Sequence, residues 1–292
     1  MEFNVSTFNS QLIFNFQFLI HKVDKLRFFS MGSGSSGNCY YIGTASYGFL
    51  IDAGVAVRTV KRELKEHGLS FENIWGIFIT HDHTDHIKAV GVLGEKYHIP
   101  VYVTAEMLNG INRNYRVTEK LVSAHKLYKK GDNIVIRDFS IQAFPVSHDA
   151  SDCVGYSFDY GNQRFVIATD LGFIGKEVAD YIARANYLVI EANYDDNMLK
   201  NGPYPYPLKQ RVRSHVGHMC NEHTARFLAD NPSEYLSHVF LCHLSQENNT
   251  PEIAFKTVND ALVEKGIALE LLQPLERTIP SPMYIFKPYE AE

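Results

Sequence analysis

The sequence is poor in cysteine, and its four cysteines are far apart. Cys39, Cys153, Cys220 and Cys242 form no C-x-x-C pair. Small secreted domains use closely spaced cysteines as a disulfide framework, and structural zinc sites use clustered ones. In a chain of 292 residues, scattered cysteines indicate reduced thiols, some of them serving as small buried apolar residues. We therefore expect a cytoplasmic protein.

Long apolar runs are also missing. Residues 11–20 (QLIFNFQFLI) are interrupted by polar residues and are far shorter than the roughly 20 residues of a membrane span. Glu2 is the only charged residue before His21, and no small-residue cleavage site follows, which argues against a secretory signal. Residues 1–24 are either a weakly packed N-terminal extension or the result of a translation start assigned too early. In both cases we expect no membrane anchor and a fold that occupies residues 25–292.

An excess of charge of one sign is absent as well. The 28 Lys and Arg residues nearly balance the 33 Asp and Glu residues, so the formal net charge is −5. Proteins that coat nucleic acid with their whole surface are strongly basic. Any contact with nucleic acid must therefore come from a local patch.

The sequence does contain a series of short apolar runs typical of strands. These runs are LRFFS, CYYIGT, YGFLIDAG, IWGIFIT, VYVT, DNIVI, FSIQAFPV, GYSFDY, RFVIATD, YLVIEAN, HVFLCH, ALELL and MYIF. Helices are predicted over 57–67, 87–98, 222–229 and 251–264, whereas 105–130 has no clear pattern. Strand-rich halves followed by helices favour one α/β (α+β) domain, with two sheets face to face and helices outside.

The densest group of chemically active side chains directly follows the strand IWGIFIT. Residues 81–86 read H-D-H-T-D-H and bring His81, His83 and His86 close to Asp85. Imidazole suits zinc, iron or manganese, and carboxylate favours harder ions. Four such groups so close together in sequence can hardly all bind one tetrahedral ion, and with further ligands they could hold two ions about 3.5–4 Å apart. A solvated polar run or a lone structural metal is the alternative, but structural zinc sites are usually rich in cysteine.

Three further residues follow apolar strands in the same way. His148 follows FSIQAFPVS, Asp170 follows RFVIAT, and His243 follows HVFLC. Because the ligands of a sheet-based site gather at strand ends, we expect these residues to join the first cluster. Asp52 ends the strand FLI but has no obvious coordination role, so we expect it to orient the histidines.

Taken in order, these motifs resemble the metallo-β-lactamase superfamily and most closely its small bacterial YycJ (WalJ) type. The matching segments are G-S-G-S-S-G-N at 32–38, H-x-H-x-D-H at 81–86, H-D-A at 148–150, G-Y at 155–156, T-D at 169–170, E-A-N-x-D at 191–195, G-P-Y-P at 202–205, G-H-x-x-N-E at 217–222 and H-L-S at 243–245. The resemblance covers Lys25 to the C-terminus. Only the histidine cluster is specific by itself.

The resemblance implies a four-layer αββα sandwich with the site at one edge between the sheets. It also implies two divalent metal ions, zinc or manganese, and assigns their ligands as follows: one ion to His81, His83 and His148, the other to Asp85, His86 and His243, with Asp170 bridging the two. Such a pair would lower the pKa of a shared water and supply hydroxide for attack on phosphorus or a carbonyl. Asp85 therefore counts among the catalytic residues as well as the ligands.

A leaving group also needs a proton. His218, in G-H-M-C-N-E, is the candidate for donating it or for holding a phosphate oxygen, with His215 as a weaker candidate. The alternative is that His218 makes only structural hydrogen bonds. Four other polar residues are expected to support the site: Ser35, Asn38, Asp149 and Asn193.

The resemblance implies a phosphodiesterase, because YycJ-type proteins are associated with exonuclease action on DNA. The segment before His218 carries cations and aromatic rings that would suit a single strand: Lys200, Tyr204, Tyr206, Lys209, Arg211 and Arg213. A solvated, proline-stiffened loop is the alternative for this segment. Roughly seventy residues separate Asp170 from His243, too few for a large inserted clamp domain.

Other functions on the same fold stay open. A small-molecule phosphodiesterase or a thioester or lactone hydrolase would use the same metal motif. A di-iron redox enzyme would normally carry a flavin-binding domain, and the sequence shows no sign of one. A non-catalytic metal-binding protein should have lost ligands, yet all seven candidates are present.

Overall fold

The thirteen apolar runs and one further segment, His125–Leu127, form fourteen strands in the computed structural model, which describes residues 24–287. The strands are β1 (Arg27–Gly32), β2 (Cys39–Gly43), β3 (Gly48–Ile51), β4 (Ile74–Phe78), β5 (Val101–Val103), β6 (His125–Leu127), β7 (Asn133–Ile136), β8 (Phe139–Pro145), β9 (Val154–Tyr160), β10 (Gln163–Ala168), β11 (Tyr187–Glu191), β12 (His238–Cys242), β13 (Leu271–Pro274) and β14 (Tyr284–Ile285). The predicted extension, residues 1–24, lies outside the described residues except for Asp24. Its boundary at Lys25 stays a prediction.

The strands build two seven-stranded sheets. The first has the order β14-β1-β2-β3-β4-β5-β6, and the second has the order β13-β12-β11-β10-β9-β8-β7. Strands β3 to β6 run parallel to one another, and so do β10 to β13. Because parallel strands end at the same edge of a sheet, residues that follow them are brought together there. Strand β8 pairs antiparallel with β9, which pairs antiparallel with β10, so β8 ends at that edge too.

Eight α-helices connect these strands within residues 24–287. They are α1 (Val57–Glu66), α2 (Thr84–Ile87), α3 (Ala105–Arg113), α4 (Lys176–Ile182), α5 (Asp196–Asn201), α6 (Tyr206–Val212), α7 (Asn221–Asp230) and α8 (Pro251–Glu264). A 3₁₀ turn spans Phe71–Asn73, and a π-helical segment spans Val92–Lys96. No helix in this part of the chain is long and apolar enough to span a membrane.

Three local predictions differ from the structure. The helix predicted over 87–98 begins earlier, at Thr84, and continues into the π-helical segment. The stretch 105–130, which had no assignment, contains α3 and β6. The proline-rich segment before His218 is not a loop throughout, because α6 forms within it with Pro207 in its first turn. Proline is tolerated there since the first N–H groups of a helix have no intrahelical acceptor.

Aromatic rings fill the space between the two sheets. Phe28 of β1 lies 4.9 Å from Phe165 of β10 and 4.8 Å from Phe240 of β12, measured between ring centroids. Phe78 of β4 similarly meets Phe158 of β9 at 5.5 Å. All five side chains are fully buried. Burial of such rings is a dominant contribution to core stability, and it fixes how the edges of the two sheets face each other.

Helices cover both outer faces and complete an αββα sandwich. On the side of the first sheet, α1 buries Val60 and Leu64, and α3 buries Met107 and Ile111. The second sheet is covered by α4, α7 and α8, whose apolar side chains form one cluster with its strands. The fold predicted from the sequence is confirmed. All four cysteines are buried with free thiols, and burial raises the pKa of Cys220 to about 12.

Candidate metal centre

Three residues at strand ends adopt a left-handed backbone conformation. Asp52, Asp170 and His243, which follow β3, β10 and β12, have φ angles of 61°, 55° and 56°. This conformation is unfavourable for residues with a Cβ, costs of order 1–3 kcal/mol each, and clusters at functional sites. All three side chains are buried. They meet in one cluster of imidazoles and carboxylates at the common edge of the two sheets.

The first part of the cluster contains His81, His83 and His148, whose potential ligand atoms lie within 4.8 Å of one another. The Nδ1 atom of His83 is 3.3 Å from Nε2 of His148. The Nδ1–H of His148 donates to the carbonyl oxygen of Gly217 at 2.9 Å. This hydrogen bond leaves Nε2 of His148 directed at the group, as is typical of metal-binding histidines.

The second part contains Asp85, His86 and His243, again with potential ligand atoms within 4.8 Å. The Oδ2 atom of Asp85 lies 3.6 Å from Nε2 of His86 and 3.5 Å from Nε2 of His243. These separations exceed the usual length of N–H···O hydrogen bonds, about 2.7–3.2 Å. The three side chains therefore surround a common point rather than satisfying one another.

Asp170 lies between the two parts. Its Oδ1 atom is 3.7 Å from Nε2 of His148, and its Oδ2 atom is 3.4 Å from Nε2 of His86. The hydroxyl of Thr169 donates to Oδ2 at 2.8 Å and fixes the carboxylate. Oδ1 also lies 3.4 Å from Nδ1 of His243, so the carboxylate lies next to members of both groups of ligands.

The residues fit a pair of divalent ions. Two nitrogen atoms that each lie about 2.1 Å from a tetrahedral ion are about 3.4 Å apart, close to the 3.3 Å between His83 and His148 and the 3.4 Å between His86 and Asp170. The Nε2 atom of His81 is buried and has no hydrogen-bond partner among residues 24–287. Buried polar atoms are rarely left unpaired, so this nitrogen indicates a ligand position.

The charges of the cluster favour a cation. Burial opposes ionisation of Asp170, but His243 and His86 hold the pKa of its carboxyl well below the usual value. Burial also disfavours charge on His86, yet Asp170 and Asp52 raise the pKa of this imidazole to about 9. Burial and the neighbouring His86 lower the pKa of His81 far below its usual value. The carboxylates therefore attract positive charge, which in the absence of an ion is a proton on His86 that a metal ion would displace. His81, by contrast, is already neutral, as a metal ligand must be.

Glu191 is a central residue of the site, although no role was predicted for it. It ends β11 and is fully buried. Its Oε1 atom accepts hydrogen bonds from Nδ1 of His218 at 2.7 Å and from Nδ1 of His243 at 2.9 Å. Its Oε2 atom accepts from the backbone N–H of Leu171 at 2.7 Å and of Met219 at 3.2 Å. One signal was available, since Glu191 is a carboxylate at the end of an otherwise apolar run.

His218 lies beside the cluster and is partly buried. Together with Asp170, Glu191 and His243 it forms a further group with potential ligand atoms within 4.8 Å. The distances from Glu191 to the two imidazoles are those of hydrogen bonds, so this group is a charge-assisted network rather than a further metal position. His215 is exposed, and its ring faces that of Phe173 at 5.6 Å.

Asn38 contacts two members of the second part of the cluster, His86 and Asp85. Its Nδ2 atom lies 2.9 Å from Nε2 of His86 and 3.4 Å from Oδ2 of Asp85. Its backbone N–H also donates to the carbonyl oxygen of Asp85 at 2.7 Å. The glycine-rich turn, residues 32–38, is therefore hydrogen-bonded through Asn38 to the segment 81–86, which carries four of the candidate ligands.

Two residues hold His243 in place. The Nδ2 atom of Asn193 donates to the carbonyl oxygen of His243 at 2.7 Å, and the hydroxyl of Ser33 accepts the backbone N–H of His243 at 3.0 Å. Ser35, which the sequence favoured, is exposed at the tip of the turn. Within the glycine-rich turn it is thus Ser33, and not Ser35, that contacts a candidate ligand.

Asp149 connects the first group to the protein surface. Its carboxylate accepts two hydrogen bonds from the guanidinium of Arg211, at 2.6 and 2.9 Å, and its carbonyl oxygen is 3.2 Å from Nε2 of His83. The Arg211 side chain is 49% exposed, so it lies at the rim of the site. Lys209 is directed elsewhere and donates to the carbonyl oxygen of Lys200 at 2.8 Å.

Comparison with known proteins gives matches over most of the chain. The family model described as the β-lactamase superfamily domain matches residues 47–243. The chain is 36% identical over 247 residues to a Bacillus anthracis protein named exodeoxyribonuclease YycJ, covering 84% of this chain and 92% of that protein. It is 34% identical over 240 residues to exodeoxyribonuclease WalJ of Streptococcus pneumoniae serotype 2, covering 82% and 89%. The metallo-β-lactamase fold protein YhfI from Bacillus subtilis has a similar structure, with a TM-score of 0.65 at 16% identity over 88% of this chain and 99% of that one.

Proposed function

This chain belongs to the β-lactamase superfamily and has the metallo-β-lactamase fold, and from that basis we propose that it is a metal-dependent exodeoxyribonuclease. It would hydrolyse the phosphodiester bonds of DNA from a strand end. The observation that carries the proposal is the position of Asp170, with one carboxylate oxygen toward His148 and the other toward His86. The names of the relatives from Bacillus anthracis and Streptococcus pneumoniae support the substrate class.

We assign the ligands of two divalent ions, zinc or manganese, from the two groups of side chains. His81, His83 and His148 would hold one ion, Asp85, His86 and His243 the other, and Asp170 would contact both. Bound there, the ions would lower the pKa of a water molecule and withdraw charge from the substrate phosphate. The donor set supports this assignment, because imidazoles and carboxylates suit both metals.

The residues around the ligands fix their orientation. Asp52 accepts the Nδ1–H of His86, and the carbonyl oxygen of Gly217 accepts that of His148. Each bond sets the tautomer and leaves Nε2 as the lone-pair donor. Glu191 does the same for His243 through Nδ1. Each of these hydrogen bonds holds a ligand in its binding orientation before any ion is present.

His218 would supply the proton that the departing oxygen needs. Its Nδ1–H donates to Oε1 of Glu191 at 2.7 Å, so Nε2 is the atom that can hold and release a proton. Its ring lies 5.0 Å from that of His148, next to the first ligand group. The hydrogen bond to Glu191 holds the imidazole in one orientation, as a general acid requires.

Arg211 would hold a substrate phosphate at the rim. A guanidinium has five N–H donors, and Asp149 occupies only two of its nitrogens in the structure. The remaining donors are on an exposed side chain beside His83, the ligand that contacts the Asp149 carbonyl. Binding of phosphate in this geometry is a common role of arginine.

We also propose that residues 25–292 form one hydrolase domain. One core cluster contains side chains from both sheets, such as Phe49 and Phe158, which supports a single folding unit. The buried free thiols support a reducing compartment, the cytoplasm, as the place of action.

The substrate class can be tested with five substrates assayed side by side on the full chain with Mn²⁺. These are end-labelled linear DNA in single- and double-stranded form, circular single-stranded DNA, bis-p-nitrophenyl phosphate and a glutathione thioester. We expect release of nucleotides from linear DNA, cleavage of the small diester, and little action on the circle or the thioester. Faster turnover of the thioester than of the diesters would contradict the proposal.

A further inference from the structure

A short loop beside the candidate metal centre, residues 113–120, is closed at its base by hydrogen bonds between the residues that flank it. The Asn112 side-chain amide donates to the carbonyl oxygen of Leu121 at 2.9 Å, and the backbone N–H of Leu121 donates back to Oδ1 of Asn112 at 2.9 Å. Within the enclosed segment, residues 113–120, the ammonium group of Lys120 donates to the carbonyl oxygen of Asn114 at 2.8 Å. We call residues 113–120 the Tyr115 loop. These bonds fix its conformation without using its tip.

The Tyr115 loop is attached to the segment that carries the first ligands. The Asn114 side-chain amide donates to the hydroxyl of Thr84 at 3.2 Å, and Thr84 lies between His83 and Asp85 in sequence. One turn earlier, Gly110 of α3 packs so closely on the carboxylate of Asp82 that a Cβ there would overlap it. The loop is thus held at a set distance from the candidate metal centre.

The tip of the loop presents an aromatic ring and two cations to solvent. Tyr115 is 83% exposed. The guanidinium of Arg116 lies 5.4 Å from its ring centroid and donates to its hydroxyl at 3.1 Å. Arg113 is exposed as well, and neither arginine has a carboxylate partner within 4.0 Å among residues 24–287. The protein gains no packing from this tyrosine, although the loop that carries it is rigidly braced.

Two cations of the proline-rich segment already have carboxylate partners. Arg213 forms an ion pair with Asp196 at 2.6 Å, and Arg211 is bound to Asp149. This proline-rich segment is the surface that the sequence predicts to bind a single strand of DNA. Arg113 and Arg116 of the Tyr115 loop, by contrast, have no carboxylate partner within residues 24–287, and this loop is hydrogen-bonded to Thr84 in the segment 81–86.

We propose that the Tyr115 loop binds single-stranded DNA within a few nucleotides of the scissile phosphate. An unstacked base would lie on the Tyr115 ring, and Arg113 and Arg116 would contact the adjoining phosphates. Rings and guanidinium groups together are the features by which proteins hold single strands without reading their sequence. This inference rests on the proposed function, because it assigns a surface to the substrate of that same site.

The proposal is tested by the affinity of the full chain for a fluorescein-labelled phosphorothioate oligonucleotide, which resists hydrolysis, measured by fluorescence anisotropy. Stacking on one ring typically changes affinity about 5- to 100-fold, so we expect Tyr115→Ala to weaken binding by this factor and Tyr115→Phe to retain it. On an abasic oligonucleotide with the same phosphates, Tyr115→Ala should have less than a twofold effect. Replacing Arg113 and Arg116 by Gln should weaken binding of both oligonucleotides and reduce the salt dependence by about 0.7 per lost phosphate contact.

Phe255→Ala is the matched control, since Phe255 is 40% exposed on α8 in the opposite outer layer. It should leave binding unchanged. With Mn²⁺, Tyr115→Ala should lower the rate of hydrolysis of single-stranded DNA by a factor at least five times larger than that for bis-p-nitrophenyl phosphate. A wild-type chain that degrades DNA, combined with a Tyr115→Ala affinity within twofold of wild type, overturns this inference alone. A wild-type chain that hydrolyses neither DNA nor the small diester contradicts the proposed function, and the inference with it.

Discussion

The Oδ2 atom of Asp52 lies 2.7 Å from Nδ1 of His86, and both side chains are fully buried. The same carboxylate accepts hydrogen bonds from the backbone N–H and the hydroxyl of Thr80. Because Nδ1 of His86 is engaged, only its Nε2 atom can face Asp85 and Asp170. A carboxylate at the end of β3 thus determines how a candidate ligand on the neighbouring loop is presented.

Replacing this carboxylate should weaken metal binding without unfolding the protein. In Asp52→Asn the buried amide is nearly the same size, but it is a weaker acceptor and carries no charge. We expect a 10- to 100-fold loss of affinity for Mn²⁺ or Zn²⁺, measured by competition with a chromophoric chelator. Asp138→Asn removes an exposed carboxylate that accepts a hydrogen bond from the hydroxyl of Tyr47, which is not a candidate ligand, and should leave metal affinity unchanged. Equal metal affinities for Asp52→Asn and the wild type would refute the orienting role.

His218 is expected to affect turnover and not metal content. General acid catalysis by a positioned histidine contributes about 10²- to 10⁴-fold, so His218→Ala should lower kcat on DNA by that factor at unchanged metal stoichiometry. His215→Ala is the matched control, because the side chain of His215 is exposed and contacts Phe173 rather than the cluster. A parallel fall in bound metal and kcat for His218→Ala would show that His218 is a ligand or a support for one.

Most of the fold could be predicted from the sequence because the inner strands of both sheets, such as β2, β3 and β11, are buried along their length. Continuous apolar runs such as IWGIFIT are typical of buried strands, and the polar residues that follow them indicate where the edge of a sheet lies. For the same reason the sequence predicts that His148, Asp170 and His243 lie near residues 81–86. Their roles as metal ligands stay proposals.

Other parts depend on contacts that no local pattern reports. Glu191 looks like the last residue of one more strand, and its importance comes from His218 and His243, which are distant in sequence. Ser33 and Ser35 cannot be told apart in a glycine-rich turn, since the choice depends on which hydroxyl faces His243. The Tyr115 loop was overlooked because its bracing uses side-chain amides, which carry no hydrophobic periodicity.

Glu95 should make the stability of the chain sensitive to acid. Its partly buried carboxylate accepts hydrogen bonds from the N–H groups of Val122, Ser123 and Ala124. Burial opposes ionisation, but these bonds, with Ala124 first, lower the pKa of Glu95 from 4.5 to about 2. Because the pKa of Glu95 is lower in the folded state than in the unfolded state, its ionised carboxylate stabilises the folded protein at pH values above 4.5. This stabilisation is lost as the pH falls from 4.5 toward 2.

The measurement for Glu95 is the melting temperature of wild type and Glu95→Gln between pH 2 and pH 7. The variant should melt lower at pH 6, and the difference should shrink as pH approaches 2. Glu264→Gln, at the exposed end of α8, serves as control and should match wild type throughout. A constant difference across this range would mean that the charge of Glu95 has no stabilising effect.

Gly54 should be intolerant of any side chain. A Cβ at this position would overlap the carbonyl oxygen of Asp85, which is backbone and cannot move aside easily. We expect Gly54→Ala to cost about 1–3 kcal/mol or more and to displace Asp85, so both melting temperature and metal content should fall. Gly175→Ala meets only the edge of the Phe173 ring at 3.4 Å and should be tolerated. A Gly54→Ala protein with wild-type melting temperature and metal content would argue against this close packing.

Metal stoichiometry and DNA hydrolysis, measured on the same preparations, test the central claim most directly. The full chain loaded with Mn²⁺ should bind about two ions and degrade linear DNA, and chelation should abolish both properties until Mn²⁺ is restored. Asp170→Asn should lose metal and activity together, because its carboxylate oxygens face both groups of ligands. A chelated chain, free of metal by elemental analysis, that still degrades DNA at the wild-type rate would contradict the account.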